Sequence, residues 1–348
     1  MKISLCMIVK NEEEFLEQSL RSASRYVEDL VVVDTGSTDC TKEIALKYTQ
    51  KVYDFSWCND FSAARNFSLE KASYDWILVL DADEKIIDLD IRSVQQLITA
   101  NNPVVGRIKR INILSDATGE RHLSERISRF FNRQFFRYEG IIHEQIVNKN
   151  GNPHQTVPLD ITVKHLGYTQ EVINRTDKIS RNLALLEQAL QEAPKDTYLL
   201  YQLGKSYYLA KNYQKAIRCF KKALSMPINF ELEYIEDLVE TYGYALINNA
   251  NYPESLELEK FEQYYGNSAD YLFLMGLIYM NNAKFLQAVG QFLRCTKNKP
   301  GKAEGINSYL PNYNLGVIYE CLGQKKEAVH YYKKCRNYPA ALKRLKEI

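Results

Sequence analysis

Two aspartates one residue apart, Asp81 and Asp83, follow directly on the apolar run Trp76-Ile77-Leu78-Val79-Leu80. The run reads as a buried strand, which puts the pair at a strand's carboxyl end, where open α/β sheets bind ligands. Carboxylates suit hard cations such as Mg²⁺ or Mn²⁺, and a protein that supplies only one or two of them leaves the remaining coordination to water and a substrate phosphate. A metal–diphosphate site is the chemistry these residues suggest. Val9-Lys10-Asn11-Glu12 and Asp34-Thr35-Gly36-Ser37-Thr38-Asp39 end two earlier strands. In the second cluster Gly36 permits a tight turn, Ser37 or Thr38 can cap the next helix, and Asp34 is left to accept a hydrogen bond from a ligand, such as the N3–H of uracil or ribose hydroxyls. Neither glycine-rich phosphate loop, G-x-G-x-x-G or G-x-x-x-x-G-K-[ST], occurs, so metal and side chains would have to meet the charge of a diphosphate. Arg126 and Arg129 could offset that charge, as bidentate phosphate partners do. His165 ends a later strand, where a neutral imidazole could complete the metal shell or contact the diphosphate.

The elements that must hold these residues alternate. Ile3 to Val9, Leu30 to Val33 and Trp76 to Leu80 read as strands, with helical patterns over Glu12 to Ser24, Thr38 to Gln50 and Asn59 to Ala72 between them. Such alternation predicts a mostly parallel sheet covered on both faces. Val104 to Ile111, Ser128 to Phe131 and Ile161 to His165 read as further strands, and Asn150-Gly151-Asn152-Pro153 as a turn. Beyond residue 175 a repeat takes over. Gly204, Gly276 and Gly316 each precede a tyrosine by three residues, an alanine by twelve (Ala216, Ala288, Ala328) and an aromatic by sixteen (Phe220, Phe292, Tyr332). A small residue follows each aromatic by three (Ala223, Cys295, Cys335). This register resembles the tetratricopeptide repeat, in which small residues let paired helices approach and aromatics fill the gap. Residues 177 to 194 read as a lone second helix, and Tyr242-Gly243 as a degenerate copy. The expected architecture is α/β followed by an all-α solenoid, divided as residues 1–172 and 173–348.

At 348 residues each half can bury its own core. Lys+Arg 45 against Asp+Glu 43 leaves no global basic field, which argues against nucleic acid as a partner. No apolar run is long enough to cross a bilayer, and Met1 to Val9 is too short for a signal-peptide core, so a cytoplasmic protein is expected. Seven cysteines without C-x-x-C spacing point to reduced, mostly buried thiols rather than disulfides or zinc. Residues 340–348 read as a capping helix or a homodimer contact.

Four ordered stretches, Leu5 to Glu12, Val33 to Asp39, Trp57 to Asn66 and Leu80 to Glu84, resemble glycosyltransferase family 2, and within it bacterial members with tetratricopeptide repeats after the catalytic domain, including peptide S-glycosyltransferases of glycocin biosynthesis. The resemblance implies a GT-A fold, a nucleotide-sugar donor such as UDP-glucose or UDP-GlcNAc, a divalent metal (Mn²⁺ or Mg²⁺) and inversion at the anomeric carbon. Asp83 would then ligate the metal, with Asp81 and Ala82 at the donor ribose or sugar hydroxyls. Asp34, Asn11, Glu12 and the backbone around Val9 would line the nucleotide pocket, with Arg65 facing the nucleotide. Many members have a second aspartate where this chain has Thr35, which leaves open the group that reads uracil. Tyr138 to Gln145 resembles the stretch of repeat-bearing members near the acceptor. Direct displacement needs a base on the face opposite the leaving diphosphate, which Glu144 could supply while His143 orients sugar or acceptor. Concave repeat surfaces favour a peptide or protein acceptor, a cysteine thiol among the options. Glycan or lipid-linked acceptors, a non-catalytic repeat-based binding protein and nucleotidyl transfer are the competing readings.

Overall fold

A computed structural model describes residues 2–100, 102–116, 119–166 and 178–348, with side chains throughout except at 114–121 and 178. These residues form two compact units, which meet in sequence at 177/178. The expected division at 172/173 lies outside the described residues.

The first unit is built on one mixed eight-stranded sheet. In chain order its strands are β1 (Ile3–Val9), β2 (Asp29–Asp34), β3 (Val52–Asp54), β4 (Trp76–Val79), β5 (Glu84–Leu89), β6 (Val104–Asp116), β7 (Gly119–Asn132) and, after a separate hairpin, β10 (Gln155–His165). Across the sheet they run β3-β2-β1-β4-β7-β6-β10-β5. The first four pair in parallel, as strand–helix alternation requires, and β10 is parallel to β6. Strands β7 and β5 run antiparallel to their neighbours. The hairpin is β8 (Phe136–Glu139) with β9 (Gln145–Asn148). Period-two alternation sorts the residues of β1 between two cores. Leu5, Met7 and Val9 pack with Leu16 and Leu20 of α1 (Leu16–Ala23), Ala45 of α2 (Thr41–Leu46), and Val94 and Leu97 of α4 (Ile91–Ala100). Cys6 turns to the other face, with Leu69 of α3 (Phe61–Lys71), Ile77 and Val79. Helix α3 is capped by Asp60, whose Oδ1 accepts the Ala63 N–H at 3.0 Å.

Both early helices are shorter than their periodicity suggests, because the residues before them hold the loops at the strand ends. Strands β3 and β5, helix α4 and hairpin β8–β9 have no counterpart in the sequence reading, and β7 runs 14 residues where four were expected. The sequence of β7, Gly-Glu-Arg-His-Leu-Ser-Glu-Arg-Ile-Ser-Arg-Phe-Phe-Asn, alternates no apolar residues until its end, so it carries no burial pattern to read.

The second unit is all helix. It starts with α5 (Lys178–Glu192), where residues 177 to 194 predicted one; residue 177 lies outside the described residues. Paired helices α6 (Thr197–Leu209) and α7 (Tyr213–Leu224), α11 (Ala269–Asn281) and α12 (Phe285–Thr296), and α13 (Tyr309–Cys321) and α14 (Lys325–Lys334) are the three aligned repeats. A Cβ on Gly204, Gly276 or Gly316 would come within 2.4, 2.5 and 2.5 Å of the rings of Phe220, Phe292 and Tyr332, so the close approach excludes any larger residue. The register alanines are fully buried, and so is Cys295. The degenerate copy is α8 (Glu233–Asn248), whose partner breaks into α9 (Tyr252–Ser255), a 3₁₀ turn (Leu256–Phe261) and α10 (Glu262–Tyr265). There Leu258 and Leu274, not an aromatic sixteen residues on, fill the space beside Gly243. Helix α15 (Pro339–Glu347) ends the chain. All seven cysteines are free thiols, but only Cys6, Cys295 and Cys335 are buried while Cys40, Cys58 and Cys321 are exposed, so the expectation of mostly buried thiols does not hold. No helix among the described residues is long and apolar enough to cross a membrane.

Candidate active site

The carboxyl ends of β1, β2 and β4 converge on one edge of the sheet. The first two are tied together by their own loops. Val9 O accepts from Thr35 N–H at 2.9 Å and from its hydroxyl at 3.0 Å. Asn11, at φ 55°, donates its N–H to Ser37 Oγ at 2.9 Å and accepts the Thr38 N–H at 2.8 Å, while Glu12 N–H reaches Thr41 Oγ1 at 2.7 Å. Asp34 is 2% exposed. Its Oδ1 takes the N–H groups of Gly36 and Ser37 at 2.9 and 2.8 Å, and its Oδ2 is buried with no partner among the described residues.

Asp81 is gripped from two sides. Its Oδ1 accepts from Arg65 Nη2 at 2.8 Å, and its Oδ2 takes a short ion pair from Arg129 Nη2. Burial alone would raise this carboxyl, but Arg129 and Arg65 outweigh it and hold Asp81 well below the usual carboxylate range. Arg65 also pairs through Nε with Glu144 Oε1, so the acceptor-side carboxylate expected from the sequence stands one guanidinium away from the Asp81 carboxylate. That contact depends on α3. Asn66 makes two 2.9 Å hydrogen bonds with the Tyr138 backbone and Phe61 N–H donates to Ile141 O, which fastens the segment bearing His143 and Glu144 to the helix that carries Arg65. His143 takes the turn there at φ 50°. The Tyr138 ring lies 5.6 Å from the Arg65 guanidinium carbon, and burial pushes its hydroxyl up to about 12. Arg65 Nη1 and Arg129 Nε are buried donors without partners among the described residues.

Arg129 owes its aim to a β-bulge. Gly106 pairs with Phe130 and Arg107 with Ser128, which leaves Arg129 as the extra residue. Accordingly Ile127 and Phe130, three apart, pack into the same core. Arg126 does not join this cluster; it is exposed and donates to the carbonyls of Arg107 and Leu159.

A second layer lies behind. Glu84 is 0% exposed; its Oε2 accepts the Asp81 N–H at 3.0 Å, and its Oε1 takes Arg110 Nη1 at 3.2 Å and Arg129 Nη2 at 3.3 Å. Arg110 reaches Glu125 Oε1 through Nε and Nη2, and the same oxygen accepts Asn112 Nδ2 at 2.6 Å. Asn112 Oδ1 meets His165 Nδ1 at 2.7 Å, and His165 Nε2 lies 3.1 Å from Asp83 Oδ2. Sheet register brings these together, because His165 stands opposite both Glu84 and Asn112, and Leu166 N–H donates to Asp83 O. Ala82 is buried between the two aspartates. Sequence reasoning missed Glu84, Arg110, Asn112 and Glu125; the only available signal was an acid next to the Asp81-Ala82-Asp83 triplet.

Residues 4–149 match Glycosyl transferase family 2, and residues 197–226 and 311–335 each match a tetratricopeptide repeat. The chain thus carries a glycosyl transferase family 2 domain of GT-A-like architecture followed by tetratricopeptide repeats. It is 31% identical to a TPR repeat-containing protein of Synechococcus elongatus over 69% of this chain and 62% of the relative. It is 26% identical to the SPbeta prophage-derived glycosyltransferase SunS of Bacillus subtilis over 77% of this chain and 64% of that protein. The chain therefore spans a little under two thirds of these relatives' own length. Among solved structures, YrrB, a TPR protein with an unusual peptide-binding site, is 22% identical with a TM-score of 0.41, over 51% of this chain and 88% of that one.

Proposed function

We propose that the chain is an inverting glycosyltransferase that moves a sugar from a uridine diphosphate donor to a peptide or protein acceptor, a cysteine thiol being one candidate. The observation that carries this reading is the pair of buried arginines, Arg65 and Arg129, that clamp Asp81 and still hold unpartnered donors beside it. Unsatisfied buried guanidinium donors are costly, and a donor diphosphate is an anion that would satisfy both. Asp34 Oδ2 offers a buried acceptor for the uracil N3–H or a ribose hydroxyl, with Val9, Asn11 and Glu12 shaping that pocket. Asp81, with Ala82 packed beneath it, holds ribose or sugar hydroxyls.

Asp83 and His165 suit a divalent cation. Asp83 Oδ2 and His165 Nε2 stand 3.1 Å apart, close enough for a single cation to take both as neighbouring ligands. Four carboxylates (Asp81, Glu84, Glu125, Glu144) meet three guanidiniums in the contacts described, and Asp83 adds a fifth that faces only His165. Among the described residues no three His, Cys, Asp or Glu side chains group as a full metal shell, so the diphosphate and water would complete the coordination. When bound, Mn²⁺ or Mg²⁺ supplies charge stabilisation to the departing diphosphate. Glu144 removes the acceptor's proton as its sulfur or oxygen attacks the anomeric carbon, the bond to the diphosphate oxygen breaks, and its electron pair leaves on the nucleotide. His143 orients the acceptor or sugar. Repeats that follow a transferase domain supply a surface for an extended peptide.

The test is release of free uridine diphosphate from a panel of nucleotide sugars by the purified chain, with Mn²⁺, Mg²⁺ or chelator, and with and without candidate peptides. Metal-dependent release from one donor is expected. Absence of release together with absence of donor binding by calorimetry would refute the assignment.

A further inference from the structure

We propose that Asn112, backed by Glu125, Arg110 and Glu84, is a positioning residue that decides which nitrogen of His165 carries the hydrogen and thereby sets cation affinity at the His165–Asp83 pair. The proposal rests on the reading of Asp83 and His165 as cation ligands.

Asn112 is 2% exposed and stands directly opposite His165 across the β6–β10 pairing. Its amide cannot be turned around. Nδ2 donates to Glu125 Oε1 at 2.6 Å, and an ionised carboxylate only accepts, so Oδ1 is the atom that faces the imidazole at 2.7 Å. His165 Nδ1 therefore carries the hydrogen. In the neutral ring that leaves the Nε2 lone pair directed at Asp83 Oδ2, 3.1 Å away. Glu125 is in turn fixed by Arg110, and Arg110 by Glu84, whose other oxygen takes the Asp81 N–H. The chain of side chains thus starts at His165 and returns to the backbone of Asp81, two residues from Asp83. A ligating imidazole held in this way at its second nitrogen is oriented and made a better ligand, and losing the outer partner costs about 10–100-fold in metal affinity.

Two readouts test this on the full chain. In the metal-free protein at a pH where the imidazole is neutral, ¹⁵N NMR of labelled histidine should show the His165 proton on Nδ1, and Asn112→Leu should move it toward Nε2. In the presence of UDP, Mn²⁺ binding followed by the paramagnetic resonance of the free ion should weaken about 10–100-fold in Asn112→Leu. Asn112→Asp, which opposes Glu125 with a second carboxylate, should weaken it too. The double variant Asn112→Asp/Glu125→Gln exchanges the two groups, so that an amide on β7 donates to a carboxylate on β6. It should restore both tautomer and affinity, and separates positioning from misfolding. A proton found on Nε2 in the parent, or unchanged Mn²⁺ affinity in the single variants with an intact thermal melt, overturns the proposal alone. A parent chain that binds no Mn²⁺ with UDP overturns the cation reading of Asp83 and His165 as well.

Discussion

At the scale of single residues, the two aspartates of the motif have unequal work. Asp81 neutralises two buried arginines, whereas Asp83 faces only an imidazole among the contacts described. Asp83→Ala should therefore abolish metal-dependent donor cleavage with little change in thermal midpoint, and Asp81→Asn should lose activity and stability together, because it strands buried charge. Paired activity assays and melts of the two variants would reveal a common behaviour if the distinction is false. Arg65 spans Glu144 and Asp81 with different nitrogens of one rigid fork, which an ammonium cannot imitate. For Arg65→Lys we expect kcat to fall about 100-fold, the size of losing one preorganised donor at a developing charge. A kcat within a few-fold of the parent would remove Arg65 from the mechanism.

At the scale of elements, the repeat helices depend on glycine–aromatic contacts. Gly276→Ala would drive a methyl to 2.5 Å from the buried Phe292 ring, an overpacking expected to cost about 1–3 kcal/mol in denaturant unfolding. Helix α8 carries a different strain. Burial pushes the Glu240 carboxyl up to about 8, with Lys302 opposing the rise and Asp270 and Asp237 adding to it. A carboxyl raised in the folded chain binds more protons there than in the unfolded one. Its share of stability is thus complete below about pH 4 and is lost as pH rises toward about 8. The unfolding midpoint of the repeat unit should fall over that window, and Glu240→Gln, which cannot ionise, should flatten the slope; an unchanged slope in the variant would place the cause elsewhere.

The whole molecule is two units with separate cores, two on the faces of the sheet and others within the helical repeats. Residues 178–348 produced alone should give a cooperative helical melt, and a chain that stays unfolded in circular dichroism would show that the repeats need the first unit. Features written locally could be read along the chain before any folding. The strands at Ile3, Leu30 and Trp76 are apolar runs ended by polar turns, and the repeat register returns unchanged at three glycines, so periodicity alone exposes both. The motif aspartates and Asp34 stand where the same reading put them, as polar residues at strand ends, whereas Arg65, inside α3, came to notice only through the family resemblance. Which charges meet follows only from the folded sheet. Glu144 and Arg65 are 79 residues apart in sequence, Arg129 is aimed by a bulge that shifts register by one residue, Glu125 lies in a strand with no hydrophobic rhythm, and Arg110 and Asn112 lie at or beyond the end of a readable strand whose partners its own pattern does not name. Hydrophobic pattern reports only which face is buried. Pairing between polar side chains depends on cross-strand register, and register emerges only once the whole sheet has assembled.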